Sequence, residues 1–257
     1  MDETPVSPLR TALLAQVCGA LIAYALIQLV YPKLLALPLA AALLQGLCAA
    51  LSSYKLGAPK WWIAIHLCFL PGALWLTHSG INPLWYLGGF ALLLAVYWRT
   101  DRSQVPLYLS NATTAKAVAN LLPPAPVSFM DLGCGDGGLL RRLAAARPDC
   151  RFVGSEHAPL PWLWAKLSNL PHANVSIHYG DFWTRHLGDF DIVYAFLSPV
   201  PMSRLTEKAK KEMRSGTLLI SNSFASPDIA PEMLLELDDR RQTKLFCYRH
   251  PFRANPN

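Results

Sequence analysis

Three acidic residues stand where apolar segments end, and there a carboxylate can bind a ligand. Asp131 opens a glycine-rich turn, Asp131-Leu-Gly-Cys-Gly-Asp-Gly137, and Glu156 lies 19 residues after Gly137. Asp181 follows a third apolar segment. In a nucleoside-binding sheet, a carboxylate about 20 residues beyond the glycines accepts the ribose hydroxyls. The spacing therefore predicts a nucleoside site that contains Asp131, Gly133, Gly135, Gly137 and Glu156.

The charge of this turn selects among nucleoside ligands. Glycines at its three positions let the backbone turn sharply and approach a ligand. Asp131 and Asp136 would repel a pyrophosphate, so an NAD site is the weaker alternative. A carboxylate at Asp131 suits the cationic amino and sulfonium groups of S-adenosylmethionine, which we predict as the cofactor. The competing interpretation is that Asp131 only caps the turn through backbone N–H groups.

The remaining candidate residues would contact the adenine or an acceptor group. Asp181 can accept the adenine amino group while the N–H of Phe182 meets a ring nitrogen; a plain turn role for Asp181 is the alternative. Trp183, Phe182 and Tyr108 are candidates for an acceptor channel, with Ser198 or a backbone carbonyl accepting an amine hydrogen. Core packing is the alternative role of the aromatic residues. We predict no metal site, because the cysteines form no CxxC pair and the histidines no HExxH motif.

Alternating strands and helices must position these residues. The pattern predicts strands at 127–131, 151–155, 174–179, 191–197 and 217–222, and an antiparallel pair at 233–237 and 243–248. Helices are expected from Ser110 or Asn111 to about Leu122, at 139–147 and at 204–214. The fold class is therefore α/β, a Rossmann-like doubly wound sheet of seven strands. A ligand would bind outside the carboxyl ends of the first, second and fourth strands.

The composition divides the chain into two parts. Of the 257 residues, 53% are hydrophobic and only 16% are charged, against about 25% in an average soluble domain. Between Thr11 and Trp98 the only charged residues are Lys33, Lys55 and Lys60, whereas residues 99–257 hold 19 basic and 15 acidic ones. This small basic excess predicts no nucleic-acid partner.

The apolar part predicts a transmembrane anchor of about four helices. Its uncharged runs cover 11–31, 34–54, 61–79 and 84–98, and the last is short for a membrane span. Most basic residues near the ends of the runs (Arg10, Lys55, Lys60, Arg99, Arg102) fall on one side of the membrane and Lys33 alone on the other. This places the polar part on the cytoplasmic side of a bacterial inner membrane, or on the matrix side of the mitochondrial inner membrane.

Several interpretations of the anchor remain open. A cleaved signal peptide is the rival for the first run, although further runs follow it. His66 and His78 are ionisable groups in the third run, where a proton relay competes with ordinary helix packing. The predicted domains are a tail at 1–10, the anchor at 11–98, a linker and leading helix at 99–126, a catalytic domain at 127–250 and a tail at 251–257.

From Val105 to Pro227 the sequence resembles the class I, seven-stranded S-adenosylmethionine-dependent methyltransferases. It is similar in particular to the small membrane-anchored protein-lysine methyltransferases that modify the ATP synthase c subunit or the adenine nucleotide translocase. The matching motifs are Val105-Pro106, Asp131–Gly137, Glu156-His-Ala-Pro159, Asp181-Phe-Trp183, Phe196, Pro201-Met202 and Ser221 to Pro227. Two stretches depart from the family pattern, Leu107–Ser110 and Leu197–Pro201, and known members have one hydrophobic anchor.

The resemblance implies a function and partners. S-adenosylmethionine would be the cofactor, a lysine of a membrane protein the acceptor, and the lipid bilayer a partner. Because the departures lie where the acceptor is expected, two alternatives stay open. One is methylation of a lipid, quinone or other hydrophobic small molecule, and the other is a non-catalytic cofactor-binding assembly module.

Overall fold

The computed structural model describes residues 8–98 and 105–255. Contacts between Cα atoms divide the chain into two compact units, one up to Leu87 and one from Gly88 onward. Most of the predicted N-terminal tail, the linker residues Arg99 to Gln104 and the last two residues lie outside the described part. Arg99 and Arg102, which entered the orientation argument, are among them.

Four apolar helices follow the four apolar runs. They are α1 (Pro8–Val30), α2 (Pro38–Lys55), α3 (Trp61–His78) and α4 (Pro83–Val96), and a 3-10 turn covers Pro32–Ala36. The start of α2 lies later than predicted, because Pro38 has no N–H to donate and is suited to the first helical position. Pro71 lies inside α3.

Small residues let α1, α2 and α3 approach closely. A Cβ on Gly19 would lie 2.5 Å from the Cα of Ala49, and one on Gly46 would lie 2.9 Å from the carbonyl oxygen of His66. Close approach at small residues is typical of helix packing in membranes.

The outside of this unit carries many large apolar side chains, unlike the outside of a water-soluble bundle. Inside, Gln45 Nε2 donates to Gln16 Oε1 at 2.7 Å, and the side chain of His66 is buried. Outside, large apolar side chains are exposed along the helices, among them Leu13, Leu21, Leu43, Leu47, Phe69 and Trp75. A soluble bundle buries such residues and exposes polar ones.

One helix in the described ranges is long and apolar enough to cross a membrane by length and composition. It covers Arg10–Val30 and has a mean hydropathy of 2.1. A span needs about 17–25 residues. The helices α2 and α3, with 18 residues each, are near the lower end of this range, and α4, with 14, is shorter than the range. Of the roughly four spans predicted, this criterion supports one.

The second unit is built on a mixed sheet whose strands are short. They are β1 (Ser128–Leu132), β2 (Arg151–Glu156), β3 (Val175–Tyr179), β4 (Ile192–Ala195), β5 (Leu218–Asn222), β6 (Ile229–Ala230), β7 (Met233–Glu236), β8 (Lys244–Arg249) and β9 (Arg253–Ala254). The helices are α5 (Ala112–Leu121), α6 (Gly138–Ala146), α7 (Pro159–Ser168) and α8 (Met202–Glu212).

Seven of these strands form one sheet in the order β3-β2-β1-β4-β5-β8-β7. The first five are parallel, and β8 pairs antiparallel with both β5 and β7. The predicted seven-stranded Rossmann-like sheet is therefore confirmed. The strand order reverses beside β1, and this is where an open α/β sheet leaves a crevice at its carboxyl edge.

Buried side chains cover both faces of the sheet. One core contains Phe129, Phe152, Leu140 and Leu143, and the other contains Met130, Val193 and Leu205. Because neighbouring strand residues point to opposite faces, Phe129 and Met130 serve different cores. Two buried faces explain why the strands read as continuous apolar runs.

Two smaller features frame the sheet. Asn111 caps α5 by accepting the Thr114 N–H at 2.8 Å, which selects Asn111 over the alternative Ser110. At the other end of the chain, β9 pairs with β6 through Ile229 and Ala254. The segment predicted as a C-terminal tail thus contributes a short strand.

Candidate functional site

The glycine turn follows β1 and needs glycine for its conformation. Gly133, Gly135 and Gly137 have φ angles of +76°, +55° and +68°. A Cβ on Gly137 would also lie 2.4 Å from Asn169 Nδ2, and one on Gly135 would lie 2.9 Å from the Leu109 side chain. The turn therefore combines left-handed backbone, which disfavours other residues, with close packing on both sides.

Asp131 is buried beneath this turn. Its exposed fraction is 3%, and burial, together with the nearby charges of Glu156 and Asp136, raises the pKa of its carboxyl to about 8. A buried carboxylate is stable only when a cation or hydrogen-bond donors offset its charge. The site is consequently suited to a ligand that brings a positive charge.

Glu156 ends β2 and ties the turn to the next loop. Its Oε2 accepts the Gly135 N–H at 2.9 Å, and its Oε1 accepts the N–H groups of His157 and Ala158 at 2.8 Å each. Two carboxylate oxygens offer about four acceptor positions, so capacity for a further donor remains. Glu156 thus both shapes the turn and presents a carboxylate to a ligand.

Asp181 begins a 3-10 turn directly after β3. Its Oδ1 accepts the Trp183 N–H at 3.0 Å, as the turn interpretation requires. Phe182 and Trp183 follow with ring centroids 4.7 Å apart. Asp181 also lines the cleft described next, so its turn role and a ligand contact are compatible.

A cleft of about 330 Å³ brings together many of the predicted residues. It is lined by Tyr108, Gly133, Glu156, Asp181, Phe182 and Trp183. Asp131, Gly135, Gly137 and Ser198 are not among the lining residues in the described part of the chain. Pockets for drug-sized ligands measure roughly 300–1,000 Å³, so the cleft has the size of a small-molecule site.

Tyr108 forms one wall of the cleft through aromatic stacking. Its ring lies 4.8 Å from that of Phe196 and 5.9 Å from that of Phe224. Two residues later, Ser110 Oγ and Asn222 Nδ2 both hydrogen-bond the buried Tyr194 hydroxyl at 2.7 Å. This network holds the segment that carries Tyr108 against the sheet.

The segment before α5 has a second attachment, to the loop between β7 and β8. Asn111 Nδ2 donates to Asp239 Oδ2 at 2.5 Å, and Arg241 donates to the Leu109 carbonyl at 3.1 Å. Hydrogen bonds from Thr243 and Asn111 lower the pKa of Asp239 to about 2. A wall of the cleft is therefore positioned by residues more than 125 positions away in sequence.

Ser198 follows β4 and is 6% exposed. Its Oγ has no hydrogen-bond partner within the described residues. A buried hydroxyl without a partner costs free energy unless a ligand satisfies it. Ser198 directly follows the lining residue Leu197 in sequence, and its hydroxyl keeps an unused donor and acceptor within the described residues.

Among the cleft residues that the sequence does not predict as site residues, Phe196 and Arg204 bear most on the chemistry of the site. Phe196 was noted only as part of the family resemblance, and its role in stacking with Tyr108 emerges from the tertiary structure. Arg204 lies on α8, and its guanidinium carbon is 4.0 Å from the centre of the Trp183 ring. Nothing in the sequence around Arg204 distinguishes it from the other basic residues of the same helix.

The cofactor prediction is consistent with this geometry. The glycines of the turn present backbone without side chains, Asp131 offers a buried carboxyl that forms no ion pair with the described residues, and Glu156 keeps acceptor capacity. These residues fit the cationic amino acid and the ribose of S-adenosylmethionine. They fit a pyrophosphate poorly, because Asp131, Asp136 and Glu156 all lie at the turn.

Comparisons with known proteins agree with the sequence resemblance. Residues 131–233 match the model of the ANTKMT methyltransferase domain. The chain is 32% identical over 151 residues to the adenine nucleotide translocase lysine N-methyltransferase of Mus musculus. This alignment covers 55% of the chain and 64% of that relative, so the chain spans somewhat under two thirds of its length.

A solved structure shows the same fold. It is an RNA methyltransferase from Salinibacter ruber in complex with S-adenosyl-L-homocysteine, with a TM-score of 0.52 and 19% identity. The match covers 58% of this chain and 98% of that protein. The solved structure shows the fold, and the family model shows that residues 131–233 are similar to the ANTKMT methyltransferase domain.

Proposed function

We propose that this chain is a membrane-anchored S-adenosylmethionine-dependent methyltransferase that methylates a lysine of a membrane-embedded or membrane-proximal protein. The observation that carries the proposal is the buried Asp131 carboxylate beneath a left-handed glycine turn, beside an aromatic cleft. The match to the ANTKMT methyltransferase domain supports methyl transfer, and the similarity to a mouse lysine N-methyltransferase supports lysine as the acceptor.

The cofactor would be held by residues of the turn and of the neighbouring strand ends. Asp131 would offset its positive charge, Glu156 would accept the ribose hydroxyls and Asp181 the adenine amino group, with the Phe182 N–H on a ring nitrogen. Gly133, Gly135 and Gly137 allow the backbone to approach it closely. When bound, S-adenosylmethionine supplies an electrophilic methyl group on a sulfonium.

The aromatic wall would prepare the acceptor amine. Tyr108, Phe196 and Trp183 exclude water from the cleft, and loss of water lowers the pKa of a lysine ammonium toward the neutral, nucleophilic form. Ser198 would accept a hydrogen of the amine with its unpaired Oγ. Most of the rate acceleration in this scheme comes from positioning and from water exclusion.

The anchor is supported by the distribution of side chains in the N-terminal unit. Large apolar side chains cover its outside and small or polar ones lie inside, which suits a lipid environment. We therefore retain the multi-pass anchor at 11–98 and the catalytic domain at 127–250, joined by the linker and leading helix at 99–126. The basic residues of the loops favour a catalytic domain on the cytoplasmic or matrix side.

A second candidate function rests on the apolar character of the cleft. Phe182, Trp183, Tyr108 and Phe196 offer flat surfaces that would also accept a quinone or another hydrophobic small molecule. In that case the unpaired Ser198 hydroxyl would contact a phenol or enol oxygen. This alternative keeps the cofactor site unchanged and differs only in the acceptor.

Labelling of membranes distinguishes the two functions. Membranes from cells that lack this protein are incubated with the purified 257-residue chain and methyl-labelled S-adenosylmethionine, and the label is partitioned between protein and lipid extracts. We expect protease-sensitive label on a lysine of a small membrane protein. The Asp131→Ala variant serves as the control and should transfer no label.

Other results would replace the proposal. Protease-resistant label in the organic phase would support the small-molecule acceptor. Absence of transfer, despite measurable binding of S-adenosylhomocysteine, would favour a non-catalytic assembly module. The orientation is tested with a reporter that is active only outside the cytoplasm. If such a reporter is active when fused to the C-terminus, the predicted orientation is wrong.

A further inference from the structure

Arg204 has an unusual position for a surface arginine. It lies in the first turn of α8, lines the cleft and stacks on Trp183 at 4.0 Å. The acidic residues of the helix pair elsewhere, Glu207 with Lys210 at 2.9 Å and Glu212 with Lys208 at 2.6 Å. Within the described residues, no acidic side chain forms an ion pair with Arg204.

Helix stability does not account for a positive charge at this position. The N-terminus of a helix carries a partial positive charge, so a cation in the first turn is unfavourable and an anion is favourable. The N-cap residue Pro201 offers no side-chain acceptor. The Trp183 ring attracts the guanidinium that lies over it, and a guanidinium has five N–H donors that can bind a planar oxygen ligand.

The charge of Arg204 also conflicts with a simple lysine site. A lysine ammonium that enters the same cleft is repelled by the guanidinium, since two like charges at close range interact unfavourably. A negatively charged group of the acceptor, bound to Arg204, would offset the guanidinium charge and so reduce its repulsion of the lysine ammonium. A carboxylate matches the fork of N–H donors in geometry as well as in charge.

We propose that Arg204, held by Trp183, binds a carboxylate of the acceptor protein close to the lysine that is methylated. The inference rests on the proposed lysine methyltransferase function and makes Arg204 a specificity-determining residue. The carboxylate of the cofactor is the other possible source. The acceptor is favoured as the source of the carboxylate because Arg204 is exposed, whereas Asp131 and Glu156, which would hold the cofactor, are buried.

Peptide binding tests this assignment without requiring turnover. The peptides have nine residues with a lysine at the centre. Each peptide has a single glutamate at one of the other eight positions, and a control peptide has glutamine at the same position. Calorimetry measures their binding to the full chain in detergent micelles saturated with S-adenosylhomocysteine. We expect one or two glutamate positions to bind about tenfold more tightly than their glutamine partners, the size of a good charge-assisted hydrogen bond.

Variants of α8 locate the effect. Arg204→Gln should reduce the preference for glutamate below twofold and leave the Kd for S-adenosylhomocysteine within threefold of the wild-type value. Arg204→Lys should keep part of the preference, because the charge remains but the planar fork is lost. Lys211→Gln removes the same charge from an exposed position of the same helix and should keep the full preference.

Three results would overturn the inference. A glutamate preference that persists in Arg204→Gln would place the contact elsewhere. A tenfold loss of S-adenosylhomocysteine affinity in Arg204→Gln would assign the arginine to the cofactor carboxylate. If the wild-type chain binds S-adenosylhomocysteine but prefers glutamate at no peptide position, Arg204 does not contact an acceptor carboxylate. If the wild-type chain does not bind S-adenosylhomocysteine at all, the proposed function is refuted instead.

Discussion

The two sides of the cleft are built by different means. The proposed cofactor side consists of the turn after β1 and the end of β2, where Glu156 accepts three backbone N–H groups from residues at most 21 positions away. The proposed acceptor side consists of aromatic rings and an arginine from four separate segments, around Tyr108, Trp183, Phe196 and Arg204. Local backbone geometry builds the first side, and long-range packing builds the second.

This difference has a consequence for how each side responds to change. A substitution on the cofactor side removes a charge or a backbone contact that has no substitute nearby, so we expect large effects on ligand binding. A substitution on the acceptor side removes one of several side chains that pack on one another. We therefore expect a smaller effect, which changes acceptor binding but not the affinity for the cofactor. Four predictions compare the two sides, from the largest expected effect to the smallest.

The largest effect is expected from Asp131→Asn. Above about pH 8 the Asp131 carboxyl is ionised, and the amide keeps the shape of the side chain but lacks the charge that would offset a cationic ligand. Binding of S-adenosylmethionine should weaken about 30- to 150-fold, which corresponds to about 2–3 kcal/mol for a charged hydrogen-bonded contact. Isothermal titration calorimetry measures the affinity, and Asp238→Asn at an exposed position is the control. An unchanged affinity would show that the charge of Asp131 does not contribute to cofactor binding, and the proposed difference between the two sides of the cleft would then be wrong.

The pH dependence of cofactor binding should report on the same carboxyl. Its pKa in the free protein is about 8, so below that pH the site holds a proton that a cationic ligand must displace. Affinity for S-adenosylmethionine should therefore rise with pH, by up to about tenfold per pH unit below 8, and level off above it. In Asp131→Asn this rise should be absent.

The same pKa affects the stability of the free protein. The folded state holds the Asp131 proton up to about pH 8, while an unfolded chain releases it near pH 4. The folded state binds more protons in this window, so its stability falls as the pH rises from about 4 to 8. Urea unfolding of the wild type against Asp131→Asn should show this slope in the wild type only.

The smallest effect is expected from Tyr194→Phe on the acceptor side. The Tyr194 hydroxyl bonds Ser110 and Asn222 at 2.7 Å each, and its loss leaves Asn222 with a buried donor. The free energy of unfolding should drop by about 1–3 kcal/mol. Because Ser110 positions the segment of Tyr108, KM for the acceptor should rise a few-fold while the Kd for S-adenosylhomocysteine changes less than twofold.

A matched variant separates positioning from stability. Tyr248 is also buried, and its hydroxyl accepts the Ser226 N–H at 2.8 Å. Tyr248→Phe should cost similar stability without changing KM for the acceptor. If both variants raise KM equally, the Tyr194 network has only a structural role, and the acceptor side responds to stability alone.

The amino-acid sequence by itself determined the sheet and the cofactor side of the cleft. Continuous apolar runs specify strands that are buried on both faces, and the glycines with Asp131 and Glu156 specify a turn at the carboxyl ends of β1 and β2. These features depend on residues that are close in sequence. The glycine positions require a left-handed backbone and the Asp131 and Glu156 positions require a carboxylate, and few other residue types meet either requirement. The same holds for the four apolar helices, whose positions follow their uncharged runs.

Only the tertiary structure decided the acceptor side. Arg204 is one basic residue among several on α8, and packing alone places it on Trp183. Likewise, Tyr108 meets Phe196 because the Tyr194 hydroxyl and Asp239 hold its segment from distant parts of the chain. Stacking and long-range hydrogen bonds have no fixed spacing in sequence, since folding brings together residues whose separation along the chain is unconstrained.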